Sequence, residues 1–298
     1  MQILAVLRTL GYSTGYLVQV MDEIRKLGVH ARVVMQEEYL EADQNAYDVL
    51  IYNSFPDETH PWKFDKKLIG QCDEKFNAFE GIKILFDTHD NGTVDGFARF
   101  NDYLTPRIKV NPSYEMMKKM NLVMVVPFMS PAMYNRPQKE RPYRIVCAMR
   151  TKRMPIVRQQ VYEKIKHYNP DNQRLSLRRY AHRLRQTLIN VVANGVVFAP
   201  RTYADTLAAG ALLMAEENLK NIKIFPFADL EEGVDYVSYN LDNICEKLDF
   251  LLANPELIDK IRMSGHNKFV TGYNYSRSAE QLKQLVEQLA EQKKIITG

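Results

Sequence analysis

A succession of short, nearly unbroken apolar runs constrains this chain more than any other feature. They are Ile3–Leu7, Ala31–Met35, Tyr47–Tyr52, Ile82–Phe86, Leu122–Pro127, Arg144–Met149, Val196–Ala199 and Ala211–Met214, with shorter ones at Ile108–Val110 and Ile222–Phe225. They do not alternate apolar with polar, so they predict strands buried on both faces, as in a parallel sheet. Helical spacing lies between them. Leu17, Val20, Met21, Ile24 and Leu27 share one helical face, and Gly28 ends that helix. In the second half the sequence predicts helices over Pro155–His167, Tyr180–Ala193, Tyr203–Ala209, Leu241–Ala253, Pro255–Met263 (stopping at Gly265) and Arg277–Gln292. Strands alternating with helices predict βαβ units and an α/β fold.

One stretch breaks the alternation. Phe128–Tyr143 holds three prolines and turns polar after Met133, as an interdomain linker does. The expected organisation is a first domain over 1–130, a linker over 131–143, a second domain over 144–275 and a C-terminal helix over 276–298. Ligands of open α/β sheets sit at the carboxyl ends of the strands. Two such domains facing each other would enclose a cleft.

The 298 residues suffice for two cores, and no apolar run approaches the ~18 residues of a membrane span. The N-terminus lacks the basic start of a signal peptide, so a cytoplasmic protein is expected. Cys72, Cys147 and Cys245 are too far apart for a disulfide framework or a zinc site and read as reduced thiols. Charge is unevenly spread. Residues 136–185 carry fifteen lysines and arginines against three acids, a net of +12 in a chain whose total is +4, leaving −8 elsewhere. Such asymmetry suits a polyanionic partner; one diphosphate needs far fewer cations.

Three consecutive stretches carry a family resemblance: PRTYADTLAAGALLMAE (200–216), FPFADLEEGVDYVSYN (225–240) and the helical tail from Leu241 to Leu282. Their order resembles the C-terminal half of GT-B glycosyltransferases, in particular the group related to the spore-maturation protein CgeB. The resemblance covers about 85 residues well, and the N-terminal half only in general architecture. It implies a GT-B fold of two Rossmann-like domains across a cleft, closed by a C-terminal helix. It implies a nucleotide-sugar donor, UDP-sugar favoured, with no other cofactor and no metal. The ribose-binding acid of similar enzymes falls at Asp205, five positions before Gly210, where the usual residue is Glu. The first Glu of their paired motif falls at Val197 and is absent. Arg201 and Thr202 lie just before the same short helix, at the end of strand 196–199, and a guanidinium there could fork onto the donor phosphates. Arg150, Lys152 and Arg153 follow the second domain's first strand and are the other phosphate candidates. Glu231 and Glu232 lie in a loop that borders the donor sugar in similar proteins, or form an ordinary acidic turn.

In the first domain, FDTHDNGTVDGFARF (86–100) follows a strand directly and gathers Asp87, His89, Asp90 and Asp95. A base that takes the acceptor's hydroxyl proton is one reading, with Asp90 and His89 favoured and Asp87 a third candidate. A structural turn and a divalent-metal site are the others. Gly11, Ser13 and Thr14 resemble the acceptor-side loop of GT-B enzymes and match neither a dinucleotide fingerprint nor a P-loop.

The acceptor rests on charge. The basic segment has Tyr143, Tyr162, Tyr168 and Tyr180 among its cations, a composition of nucleic-acid grooves. Transfer to hydroxymethylated pyrimidines in double-stranded DNA fits it, with the base flipped out of the stack. A cell-surface or spore-coat glycan acceptor and a catalytically inactive binding module stand as alternatives.

Overall fold

The computed structural model describes residues 1–8, 12–54, 65–87, 106–109, 122–125, 139–147, 156–173, 175–193, 200–221, 227 and 229–297. The chain divides into two compact units, Met1–Phe128 with Asn274–Gly298, and Met129–Tyr273.

The first unit is built on six parallel strands: β1 (Gln2–Leu7), β2 (His30–Met35), β3 (Val49–Ser54), β4 (Ile82–Asp87), β5 (Arg107–Lys109) and β6 (Leu122–Val125). Their order is β2-β1-β3-β4-β5-β6. Strand β1, second from the edge, pairs on both sides, Ile3 with Ala31 and with Val49, and Ile3 to Leu7 are fully buried. This is the double burial that the apolar runs predict. Helix α1 (Tyr12–Lys26) crosses from β1 to β2, and Gly28 at φ +79° makes the turn, a left-handed conformation that favours glycine. Two helices that the sequence pattern did not single out are α2 (Gln36–Glu41) and α3 (Lys66–Ala78). Lys75 of α3 joins them: its Nζ donates to the carbonyls of Tyr39, Leu40 and Ala42 at 2.8, 2.9 and 2.6 Å. Asp65 caps α3 by accepting from the amides of Lys67 and Leu68.

The second unit has four parallel strands in the order β10-β9-β8-β7: β7 (Tyr143–Val146), β8 (Thr187–Val192), β9 (Leu212–Glu216) and β10 (Val237–Tyr239). Its helices are α4 (Ile156–Ile165), α5 (Leu177–Arg185), α6 (Pro200–Ala208), α7 (Ile244–Ala253) and α8 (Pro255–Gly272). Ile145, Val161, Ile189, Leu212, Tyr239, Leu248 and Ile258 meet in its core.

Strand β10 was not expected from the sequence, and two of the expected helices take a different course. The helix expected over Tyr180–Ala193 is α5 followed, after Gln186 alone, by strand β8. Leu184, Leu188 and Val191 fit helical spacing, but TLINVV is mostly β-branched and completes the sheet between β7 and β9. The helix expected to stop at Gly265 instead runs on to Gly272 as α8. Gly265 is there for close packing, not termination.

Residues 196–199 and 222–225, expected as strands, lie outside the described residues. The C-terminal helix α9 (Tyr275–Thr297) belongs to the first unit. It lies on α1, where the hydroxyls of Tyr16 and fully buried Ser278 meet at 2.7 Å. Cys72, Cys147 and Cys245 are unbridged.

Candidate active site

In the second unit the carboxyl ends of the strands converge on the exit of β8. Two side chains hold consecutive carbonyls there. The buried Tyr239 hydroxyl, from the last residue of β10, donates to Val192 at 3.0 Å. Arg158 of α4 donates through Nε to Ala193 at 3.3 Å. Burial pushes the Tyr239 phenol well above its ordinary range, with Glu216 adding to the rise and Arg158 opposing it. Burial likewise pushes the thiol of Cys147, just past the end of β7, up to about 12, again against Arg158. One guanidinium therefore sits among the exits of three strands. The sequence reading passed Arg158 over because it is one cation among fifteen in the basic segment.

Beside this point a pocket of about 320 Å3 opens between α4 and the ends of β9 and β10. Val157 and Val161 form its apolar wall, and Glu216, Glu217 and Asn240 its polar side. Asn240 donates to Glu217 at 2.9 Å, which fixes the carboxylate's direction.

The chain from β8 next enters α6. Asn190 on β8 donates to the Thr206 hydroxyl at 2.7 Å, and that hydroxyl donates back to the Thr202 carbonyl at 2.5 Å. From the other side, His266 of α8 bonds the Leu207 carbonyl through Nδ1 at 3.0 Å. Asp205 lies within this clamped helix, only 2% exposed, and Thr202 is half-buried one turn earlier. Arg201 is in the first turn of α6. Arg150, Lys152 and Arg153 lie outside the described residues.

Glu231 and Glu232 stand in the turn that leads into β10, at the amino end of that strand. Glu232 accepts a hydrogen bond from Ser238 and lies 3.7 Å from Lys247. Gly233 turns the chain there at φ +79°. The anchor of the turn is Asp235, 1% exposed, which accepts from Ser264 at 2.7 Å, Lys268 at 2.8 Å and the Glu231 amide at 2.9 Å.

In the first unit, Asp87 ends β4 in register with Ser54 and Lys109, so the chain leaves the sheet's carboxyl edge there. His89, Asp90 and Asp95 follow outside the described residues, as does Gly11. Ser13 and Thr14 are in the first turn of α1, and Thr14 is buried. At the same edge, buried Asn53 donates to the Phe86 carbonyl at 2.9 Å, and Arg8, 9% exposed, follows β1 directly. The sequence signal for both was a polar side chain at the end of an apolar strand. Among the described residues no group of three or more His, Cys, Asp and Glu is arranged to hold a metal ion.

The basic segment separates into two kinds of charge. Arg141 is turned inward, donating to the carbonyls of Thr187 and, at 3.4 Å, Ala209; burial, with Arg262 nearby, lowers it to about 10. Arg183 pairs with Asp171 and lies over the Tyr143 ring at 4.2 Å. Lys139, Arg144, Lys164, Arg178 and Arg179 are exposed.

Two compact units, each on a parallel sheet with intervening helices, have the architecture of the GT-B fold. Solved structures share this fold along almost the whole chain. An alpha-glucosyltransferase in complex with UDP and a 13-mer DNA is 11% identical, with a TM-score of 0.60 over 96% of this chain and 99% of its own. The HepE protein of Anabaena, in complex with UDP-glucose, is 8% identical, with a TM-score of 0.53 over 98% and 100%. A glycosyltransferase from Rickettsia africae is 11% identical, with a TM-score of 0.51 over 97% and 98%. A search of the curated proteins gives no match. The profile of the "Glycosyl transferase-like" family matches residues 131–284, just over half of the chain. The chain belongs to that glycosyltransferase-like family. No helix among the described residues is long and apolar enough to cross a membrane.

Proposed function

We propose that this glycosyltransferase transfers a sugar from a UDP-sugar to hydroxymethylated pyrimidines in double-stranded DNA. The observation that carries the acceptor is the net +12 of residues 136–185 in an otherwise acidic chain. The neighbour at TM-score 0.60, solved with UDP and DNA, supports it. A flipped-out base would offer its hydroxyl as nucleophile. Asp90 or His89, with Asp87 as the third candidate, takes the proton, and the UDP diphosphate leaves from the anomeric carbon. Arg150, Lys152 and Arg201 neutralise the leaving diphosphate, aided by the amides of the first turn of α6. Asp205 accepts from the donor ribose and Thr202 adds a donor contact, whereas Glu231 and Glu232, at the amino end of β10, form an acidic turn away from the strands' carboxyl edge. Gly11, Ser13, Thr14 and Asp95 line the acceptor side. No metal or further cofactor takes part. The three widely spaced, unbridged thiols support a cytoplasmic protein.

The test is a transfer screen with labelled UDP- and GDP-sugars, with and without EDTA, against duplex DNA containing 5-hydroxymethylcytosine or 5-hydroxymethyluracil and against a glycan mixture. We expect EDTA-resistant label in DNA, abolished in Asp90→Asn and, through weakened donor binding, reduced about tenfold or more in Asp205→Ala. Label confined to glycans would overturn the DNA acceptor. No label with any acceptor, and no donor binding, would leave a glycosyltransferase fold used only for binding.

A further inference from the structure

We propose that the exposed ridge of α5, formed by Arg178, Arg179 and His182, is the surface that grips the phosphate backbone of duplex DNA. This rests on the DNA-acceptor reading and narrows it from a fifty-residue segment to one helix face. Helix α5, LRRYAHRLR, contains no acid. Residues 178 and 182 are one turn apart and 179 and 182 three residues apart, so the three side chains share one side of the helix over about 6 Å of rise. All three are exposed, and among the described residues none forms an ion pair. Two of the segment's three acids are engaged elsewhere, Asp171 with Arg183 and Glu163 with Lys166, and the third, Glu140, lies outside α5. Arg141 and Arg158 face inward onto carbonyls.

Local stability does not explain this charge. Arg178 and Arg179 sit in the first turn, where the helix dipole disfavours cations, and no acid compensates them. An uncompensated positive ridge matches a surface of regularly spaced phosphates. Its position suits an acceptor near the strand ends. Gln186 alone separates α5 from β8, so the helix runs back along that strand. Near its end, Arg183 reaches Asp171, which bridges to Val146 at the end of β7. Arg178 and Arg179 stand a further turn toward the sheet's carboxyl edge.

The test is fluorescence anisotropy with a labelled unmodified duplex across a salt series, using the full chain and three variants. Removing one cation that neutralises a phosphate reduces the slope of log K against log salt by about 0.9. We expect Arg178→Ala/Arg179→Ala to flatten the slope by about 1.8, to weaken modified and unmodified duplexes equally, and to leave hydrolysis of the UDP-sugar unchanged. Arg178→Lys/Arg179→Lys should retain most of the slope. Lys260→Ala, which removes an exposed cation on α8, should leave it intact. Salt-dependent binding with an unchanged slope in the double alanine variant would overturn the ridge and spare the DNA reading. Absence of salt-dependent binding by the unaltered protein would overturn both.

Discussion

Gly265, in the middle of α8, lies so close to the backbone of Asp235 that a β-carbon on it would stand 2.1 Å from the Asp235 carbonyl oxygen. The same carbon would meet Leu207 of α6 at 3.0 Å. One missing side chain thus lets α8 pack against both the 231–236 turn and α6. Gly265→Ala should destabilise the protein by about 1–3 kcal/mol despite alanine's higher helix propensity, because the obstacle is backbone. Denaturant unfolding would check this; an unchanged or raised midpoint would refute it.

Asp235 makes the same junction sensitive to acid. Burial alone would raise its pKa, but hydrogen bonds from Lys268, the Glu231 amide and Ser264 outweigh it and hold the carboxyl below its ordinary value of 3.8. A depressed folded pKa contributes stability above the ordinary value and loses it as pH falls through the folded one. Asp235→Asn should therefore cost about 1–3 kcal/mol at neutral pH, and the gap to the unaltered protein should close below about pH 4. A gap that is constant with pH would show that the charge of Asp235 contributes nothing.

Tyr239→Phe removes only the hydroxyl that holds Val192. Leaving that carbonyl unsatisfied should cost about 1–3 kcal/mol. Because Val192 leads into the connection to α6, donor KM should rise more than kcat falls. Steady-state kinetics with saturating acceptor would separate the two, and a fall in kcat at unchanged KM would contradict the positioning role.

Helix α9 buries Ser278, Ala279, Leu282 and Val286 within the first unit. Deleting residues 275–298 should unfold that unit while the second stays folded, giving a partial transition in calorimetry. Ser278→Ala, which removes one buried hydrogen bond to Tyr16, should cost about 1 kcal/mol. A truncated chain with an unchanged first transition would refute the packing role.

Much of the fold was legible locally. Ile3–Leu7, Val49–Tyr52 and Ile84–Phe86 are apolar and buried on both faces, as the strands of a doubly covered parallel sheet are. Strand β8 was not legible, because TLINVV continues the spacing of α5, and only pairing with β7 and β9 turns it into a strand. Of the candidate site, Asp205 and Thr202 could be placed on α6 and Asp87 at a strand's carboxyl end. Arg158 and Tyr239 escaped notice because nothing local marks them. Their partners, Ala193 and Val192, are 35 and 47 residues away.

The sequence alone determined the α/β alternation, the two halves and the surplus of positive charge, since periodicity and composition are properties of neighbouring residues. Tertiary structure decided the use of that charge: Arg141, Arg158 and Arg183 were drawn inward by carbonyls and a carboxylate, while Arg178 and Arg179 were left on the surface. It also decided that Gly265 serves packing and that the last helix returns to the first unit. Such choices depend on partners distant in sequence, which no local pattern records.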